Sequence, residues 1–162
     1  MATWPTITDD DGSGTTGTSL DNALFTLIQG YVGGAWASPA FNAADYSANG
    51  AQTWTVASGD VTSNKYIECG KTMTWSVQID TSSVGGTPNT ELRATVPNGR
   101  TIVGRSFTRA AFVSDNGTVR DNIFVRALSG NTYVSLMRTD SGNWAASTNN
   151  TAVYFTITFE IA

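Results

Sequence analysis

Histidine is missing from this chain of 162 residues. Its absence removes Ser-His-Asp and Cys-His catalysis and most zinc and copper sites, which depend on an imidazole near neutral pH. Cysteine occurs once, as Cys69, so no disulfide can form within the chain. In a strand-rich setting such a residue is expected to be a small buried hydrophobe. Charged residues make up only 14% of the chain, and the 9 lysines and arginines are scattered. No basic stripe exists to neutralise a phosphate backbone, so nucleic acid is not an expected partner. No basic amphipathic segment points to a membrane surface, and no run approaches the ~18 apolar residues of a spanning helix. Met1 to Asp11 lacks the basic and apolar regions of a signal peptide, so synthesis in a cytoplasm is expected. Asn116-Gly117-Thr118 and Asn149-Asn150-Thr151 are accordingly read as chance sequons. Gly12-Ser13-Gly14 is not followed by the rest of a phosphate-binding signature.

What the chain has in quantity is Gly, Ser, Thr and Asn, with 10% aromatic and 40% hydrophobic residues. That is enough apolar matter to build a core. The mix favours strands and turns over helices, because strands select β-branched and aromatic side chains and turns select Gly and Asn. The length suits one domain with an appendage.

The first 34 residues differ from the rest. Trp4 to Thr8 is a short extended piece, since Pro5 disfavours helix at Trp4. Asp9 to Thr18 holds no apolar residue and reads as a loop. A helix is expected next, capped by Thr18 or Ser19, with Asp21 in its first turn. Leu20, Leu24, Leu27 and Tyr31, with Ile28 beside them, form one apolar stripe, and Gly33-Gly34 ends it. The stripe fits a helix lying on its own β domain and equally a short coiled-coil seam between subunits.

From Ala35 the period changes to two. Met73, Trp75, Val77 and Ile79 alternate with polar residues in Lys71 to Asp80, as do Val153, Phe155, Ile157, Phe159 and Ile161 in Thr151 to Ile161. Each such strand has one buried face, as in antiparallel sheets. Weaker alternation marks Ala51–Val56, Glu91–Val96, Arg109–Val113, Thr118–Leu128 and Asn131–Arg138. Turn signals separate them at Asn49-Gly50, Pro97-Asn98-Gly99, Asp115-Asn116-Gly117, Ser129-Gly130 and Ser141-Gly142-Asn143. The expected fold is all-β: an antiparallel β-sandwich or jelly roll of about eight strands over residues 35–162, preceded by an extended arm and one short helix over residues 1–34.

Candidate site chemistry is sparse. Asp9, Asp11, Ser13 and Gly14 match the first half of an EF-hand loop, but position twelve is Leu20 and no helix precedes it, so a solvated acidic loop competes with a calcium site. The acidic residues of the β region, Asp45, Asp60, Glu68, Asp80, Glu91, Asp115, Asp121, Asp140 and Glu160, fall in no glycosidase-like motif. No catalytic residue, cofactor or metal is assigned. A carbohydrate-binding face needs exposed aromatics. Trp144, after Ser141-Gly142-Asn143, reads either as a strand-end core residue or as a ring that stacks on a sugar. Tyr133 is its companion candidate for glycan contact.

Two segments carry a resemblance. Trp4-Pro5-Thr6-Ile7-Thr8-Asp9-Asp10-Asp11-Gly12-Ser13-Gly14-Thr15-Thr16-Gly17-Thr18, leading into Leu20 to Phe25, resembles the N-terminal segment of many bacteriophage structural proteins, fibre and tail-associated ones included. The β region, through Thr74 to Ile79 and the aromatic strand Val153 to Ile161, is similar in layout to the trimeric jelly rolls of tumour necrosis factor and complement-type heads, a layout that viral fibre heads share. The chain lacks the long repetitive shaft of a full-length fibre. The resemblance therefore implies a compact, non-enzymatic virion surface protein, either a capsid decoration or a short head or tail fibre. It implies a homotrimer in contact with other virion proteins of the capsid or tail. Attachment or subunit contact is expected through Trp4, Ile7, Leu20, Leu24, Leu27, Ile28 and Tyr31. The alternative is a carbohydrate-binding, receptor-recognition tip, with a host surface glycan as partner.

Overall fold

The computed structural model describes residues 35–162. The expectations for the arm, the helix and the Asp9–Asp11 loop, with Trp4, Ile7, Leu20, Leu24, Leu27, Ile28 and Tyr31, lie outside the described residues. The chain divides into two units, Met1–Ala35 and Trp36–Ala162.

The second unit is an antiparallel β-sandwich of eleven strands. These are β1 (Tyr46–Ala48), β2 (Gln52–Thr55), β3 (Val61–Cys69), β4 (Thr72–Gly86), β5 (Glu91–Thr95), β6 (Ser106–Arg109), β7 (Phe112–Asp115), β8 (Thr118–Val119), β9 (Ile123–Ala127), β10 (Tyr133–Arg138) and β11 (Ser147–Glu160). One sheet has the order β1-β5-β10-β9-β6, and the other runs β2-β4-β11-β7-β8 with β3 also paired to β4.

The long strands β4 and β11 form the spine of the second sheet. Their paired apolar residues, Phe155 opposite Val77 and Ile157 opposite Trp75, all point into the core. Leu92, Val125 and Leu136 face them from the other sheet. Each large side chain so buried contributes roughly 1.5–3 kcal/mol relative to exposure. Trp75 meets Phe155 edge-on at 5.4 Å, and its indole N–H donates to Asn64 Oδ1 at 2.8 Å.

Strict alternation in β4 holds from Met73 to Ile79 and then changes phase, with Ser82 and Val84 buried instead. The switch sits at Thr81, whose φ of 55° is left-handed. Opposite it, β11 shifts register between Ser147 and Val153. A bulge of this kind turns the strand so that later residues re-aim at the core. Ser82 is buried there and made useful: it accepts from the Trp54 indole at 3.0 Å and donates to the Thr151 carbonyl at 2.7 Å.

Several expected boundaries move. Lys71–Asp80 continues past the bulge to Gly86, and Thr118–Leu128 is two strands, β8 and β9, separated by the loop around Asp121. Arg109–Val113 is no single strand: β6 belongs to one sheet and β7 to the other, and the chain crosses between them at Ala110-Ala111. Strand β3 lacks a fully buried residue along its length and so shows no alternation. Cys69 is exposed rather than buried. It ends β3 at the tight turn where Gly70 takes a φ of 57°, paired with Thr72 and beyond the last core residue of β4, Met73.

Candidate functional site

The two glycan candidates separate. Trp144 is completely buried, its indole N–H donates to the Leu136 carbonyl at 3.3 Å, and its backbone is fixed by Asn89 and Gln52. It offers no ring face to a sugar, which corrects its reading as a stacking platform: the residue closes one end of the core. Tyr133 instead lies on β10 with the side chains that turn away from the core.

That outward face of the five-stranded sheet gathers polar and aromatic groups by strand register. Arg93 of β5 stands opposite Ser135 of β10, Ser135 opposite Arg126 of β9, and Arg126 opposite Phe107 of β6. Alongside runs Met137 opposite Phe124, with Arg109 next. Strand alternation requires the split, because Leu92, Val125 and Leu136 occupy the core side of the same strands.

Glu91 is the centre of this face and is only 6% exposed. Its carboxylate accepts from Arg93 Nη2 at 3.0 Å and from the Ser135 hydroxyl, and Arg126 Nη2 lies at 3.9 Å. Burial raises the Glu91 pKa, but the hydrogen bonds from Arg93 and Ser135, with the charges of Arg93 and Arg126, outweigh it and leave the carboxyl below its ordinary value. Arg93 lies over the Tyr133 ring, 4.6 Å from its centroid, a cation–π contact. Phe107 stays 55% exposed, with Phe124 6.3 Å away.

The outward face of the other sheet is different chemistry. Thr74 and Thr158 share a hydroxyl bond of 2.9 Å, Thr156 donates to Ser76 at 3.0 Å, and the Tyr154 phenol donates to Asp80. These are cross-strand hydroxyl pairs whose hydrogen-bonding capacity is largely spent on one another.

A third polar cluster ties the two sheets. Asp115 of β7 is buried and accepts from the Ala145 amide at 2.9 Å, with Arg120 and Arg138 each 3.6 Å away. Arg138 belongs to β10 of the opposite sheet and also grips Asp140 in a two-point pair. That pair, with the Gly142 amide, holds the Asp140 carboxyl far below its ordinary range. The cluster pins the loop that carries Trp144. Among the described residues, no group of three or more His, Cys, Asp or Glu is placed to hold a metal ion, and no helix is long and apolar enough to cross a membrane.

Sequence reasoning weighed Glu91 only as one of nine scattered carboxylates and passed over Arg93, Arg126 and Phe107 as its neighbours. For Glu91, Arg93 and Arg126 a signal of convergence existed: they occupy the polar positions of strands already read as alternating, and polar positions on neighbouring strands converge on one face. Phe107 had none, because β6 is too short to show a period. Searched against protein-family models, curated proteins and solved structures, the chain matches none of them.

Proposed function

We propose that the chain is a bacteriophage structural protein displayed on the virion surface, a capsid decoration or short head or tail fibre, anchored through its N-terminal arm with the sandwich as the projecting head. The observation that carries this reading is the division of labour along the chain. The chain divides into two units, Met1–Ala35 and Trp36–Ala162, and the core of the second, among the described residues, is assembled between Tyr46 and Ile161. Trp4 and Ile7 flank Pro5, which disfavours helix before it, and apolar residues in such a sequence suit docking in a groove or adding to a sheet edge. Burying Trp4, Ile7, Leu20 and Leu24 supplies roughly 1.5–3 kcal/mol per side chain before association costs. In a homotrimer, threefold multiplicity turns a weak single contact into firm binding.

The test removes residues 1–17 and mixes the remainder with particles that lack the protein. The truncated chain is expected to keep its cooperative melt and to lose incorporation. Undiminished incorporation of the folded, truncated chain assigns the contact to the sandwich and overturns the proposal.

A further inference from the structure

The outward face of the five-stranded sheet carries charge of the opposite sign to the chain as a whole. Three arginines, Arg93, Arg109 and Arg126, stand there against one carboxylate, Glu91, whereas the chain has a net charge of −4. The one carboxylate does not exhaust them. Arg93 Nε and Arg126 Nε are both enclosed and have no hydrogen-bond partner among the described residues. The closest approach of Arg126 to Glu91 is 3.9 Å, beyond hydrogen-bond length. The Arg93 and Arg126 side chains are 26% and 27% exposed, so guanidinium nitrogens other than Nε lie within a ligand's reach. The terminal Nη1–Nη2 edge of a guanidinium is matched to a carboxylate, which it grips at two points.

The aromatic rings supply the second half of the chemistry. Phe107, directly across from Arg126, is more than half exposed at 55%. A large apolar ring beside an unspent guanidinium suits a ligand with an apolar face and an acidic edge. A sugar ring bearing a carboxylate has both. Arg93 Nη2 and Arg126 Nη2 converge on the one Glu91 carboxylate, at 3.0 and 3.9 Å, so a single carboxylate of a ligand meets the same pair. Nucleic acid fits poorly: an acidic chain with three cations on a face cannot neutralise a run of phosphates.

We infer that this face is a binding site for an acidic, carboxylate-bearing glycan, with Arg126 gripping the carboxylate, Phe107 supporting the sugar ring and Glu91 competing with the ligand for the same two arginines. The site lies wholly within the sandwich and does not depend on the attachment reading: an inactive arm leaves it intact, and a failure to bind sugar leaves particle incorporation unchanged.

The experiment uses the full chain, isothermal titration calorimetry at low salt, and two probes of equal length, an oligogalacturonate and a neutral dextran oligosaccharide. Saturable binding of the oligogalacturonate alone is expected, weakening as salt rises. Arg126→Gln and Phe107→Ala should each weaken it by about tenfold, the scale of a charge-assisted or stacking contact. Arg126→Lys should weaken it too, since it keeps the charge but loses the two-point edge. Glu91→Gln should act in the opposite direction and tighten binding, because it removes the internal competitor; a purely structural cluster would give no gain. Circular dichroism melts confirm that each variant is folded. No binding of oligogalacturonate, equal binding of dextran, or unchanged affinity in folded Arg126→Gln and Phe107→Ala overturns the proposal. So does a change of oligomeric state in Phe107→Ala, which would give the face to a second copy of this chain.

Discussion

Glu91 shows how a single carboxylate can serve packing and titration at once. It is buried on the outward face of its sheet, a position that would be costly for a charge if Arg93, Arg126 and Ser135 did not surround it. Because its folded pKa is lowered, the deprotonated form is what the fold favours. The contribution to stability is therefore present in full above the unfolded value, near 4.5. It is lost as pH falls through the lower, folded value. The Glu91→Gln variant should be less stable than the parent by about 2 kcal/mol at neutral pH, the scale of a hydrogen bond to a charged group. The gap should close below pH 4.5, as protonation makes the parent resemble the variant. Glu68, paired with Arg100, and Asp140, gripped by Arg138, are also held low, so both proteins weaken in acid. Urea melts of parent and variant across the acid range isolate the Glu91 part by difference. A gap that is constant with pH would show that the carboxylate charge contributes nothing there.

At the scale of elements, what was legible in the sequence tracks burial on one face. Strands β4 and β11 were plain because each places an unbroken series of residues in the core, Met73 to Ile79 and Val153 to Ile161. The reading of β4 stopped at Asp80 because the bulge at Thr81 moves the buried series from odd to even positions, and a fixed period cannot follow a phase change. Strand β3 escaped notice because none of its residues is fully buried. The outward face was half legible: Arg93, Ser135 and Arg126 stood at polar positions of recognised strands, but their meeting depends on register, which pairs residues far apart in the chain. Trp144 was ambiguous for a related reason, since nothing local says that Leu136 and Gln52 close over it. The end of β4 offers a test of the pairing itself. Gly86 has a φ of +72°, and a Cβ there would stand 2.1 Å from the Ala51 carbonyl oxygen, whereas at Gly59 a Cβ would meet nothing within 4 Å. Gly86→Ala should cost on the order of 1–3 kcal/mol through left-handed strain and displacement of β2. Gly59→Ala should be close to neutral. Equal denaturation midpoints for the two variants would refute the β2–β4 pairing at this end.

At the scale of the whole molecule the open quantity is copy number, and the structure changes the grounds for it. The apolar C-terminal strand gives no ground for contact between subunits: Val153, Phe155, Ile157, Phe159 and Ile161 are all buried in the sandwich's own core, and β11 is an interior strand between β4 and β7. What remains is the stripe of Leu20, Leu24, Leu27 and Tyr31, whose spacing of four, three and four residues is that of a coiled-coil seam. Fewer than two heptads cannot hold a seam alone, because a short isolated helix is marginal in water. Such a seam must be assisted by other surface, and Val103 and Val119 are large apolar side chains left exposed on the sandwich. The full chain is accordingly expected to scatter light as a trimer at micromolar concentration, at three times 17.1 kDa. A chain begun at Ala35 should keep a cooperative melt, because it retains all eleven strands described, Tyr46 to Glu160, and should scatter as a monomer. The pairing of the two measurements is what gives the prediction its force. A monomeric full chain removes the trimer in solution, while a trimer that survives deletion of the first 34 residues moves the subunit contact from the stripe to the sandwich.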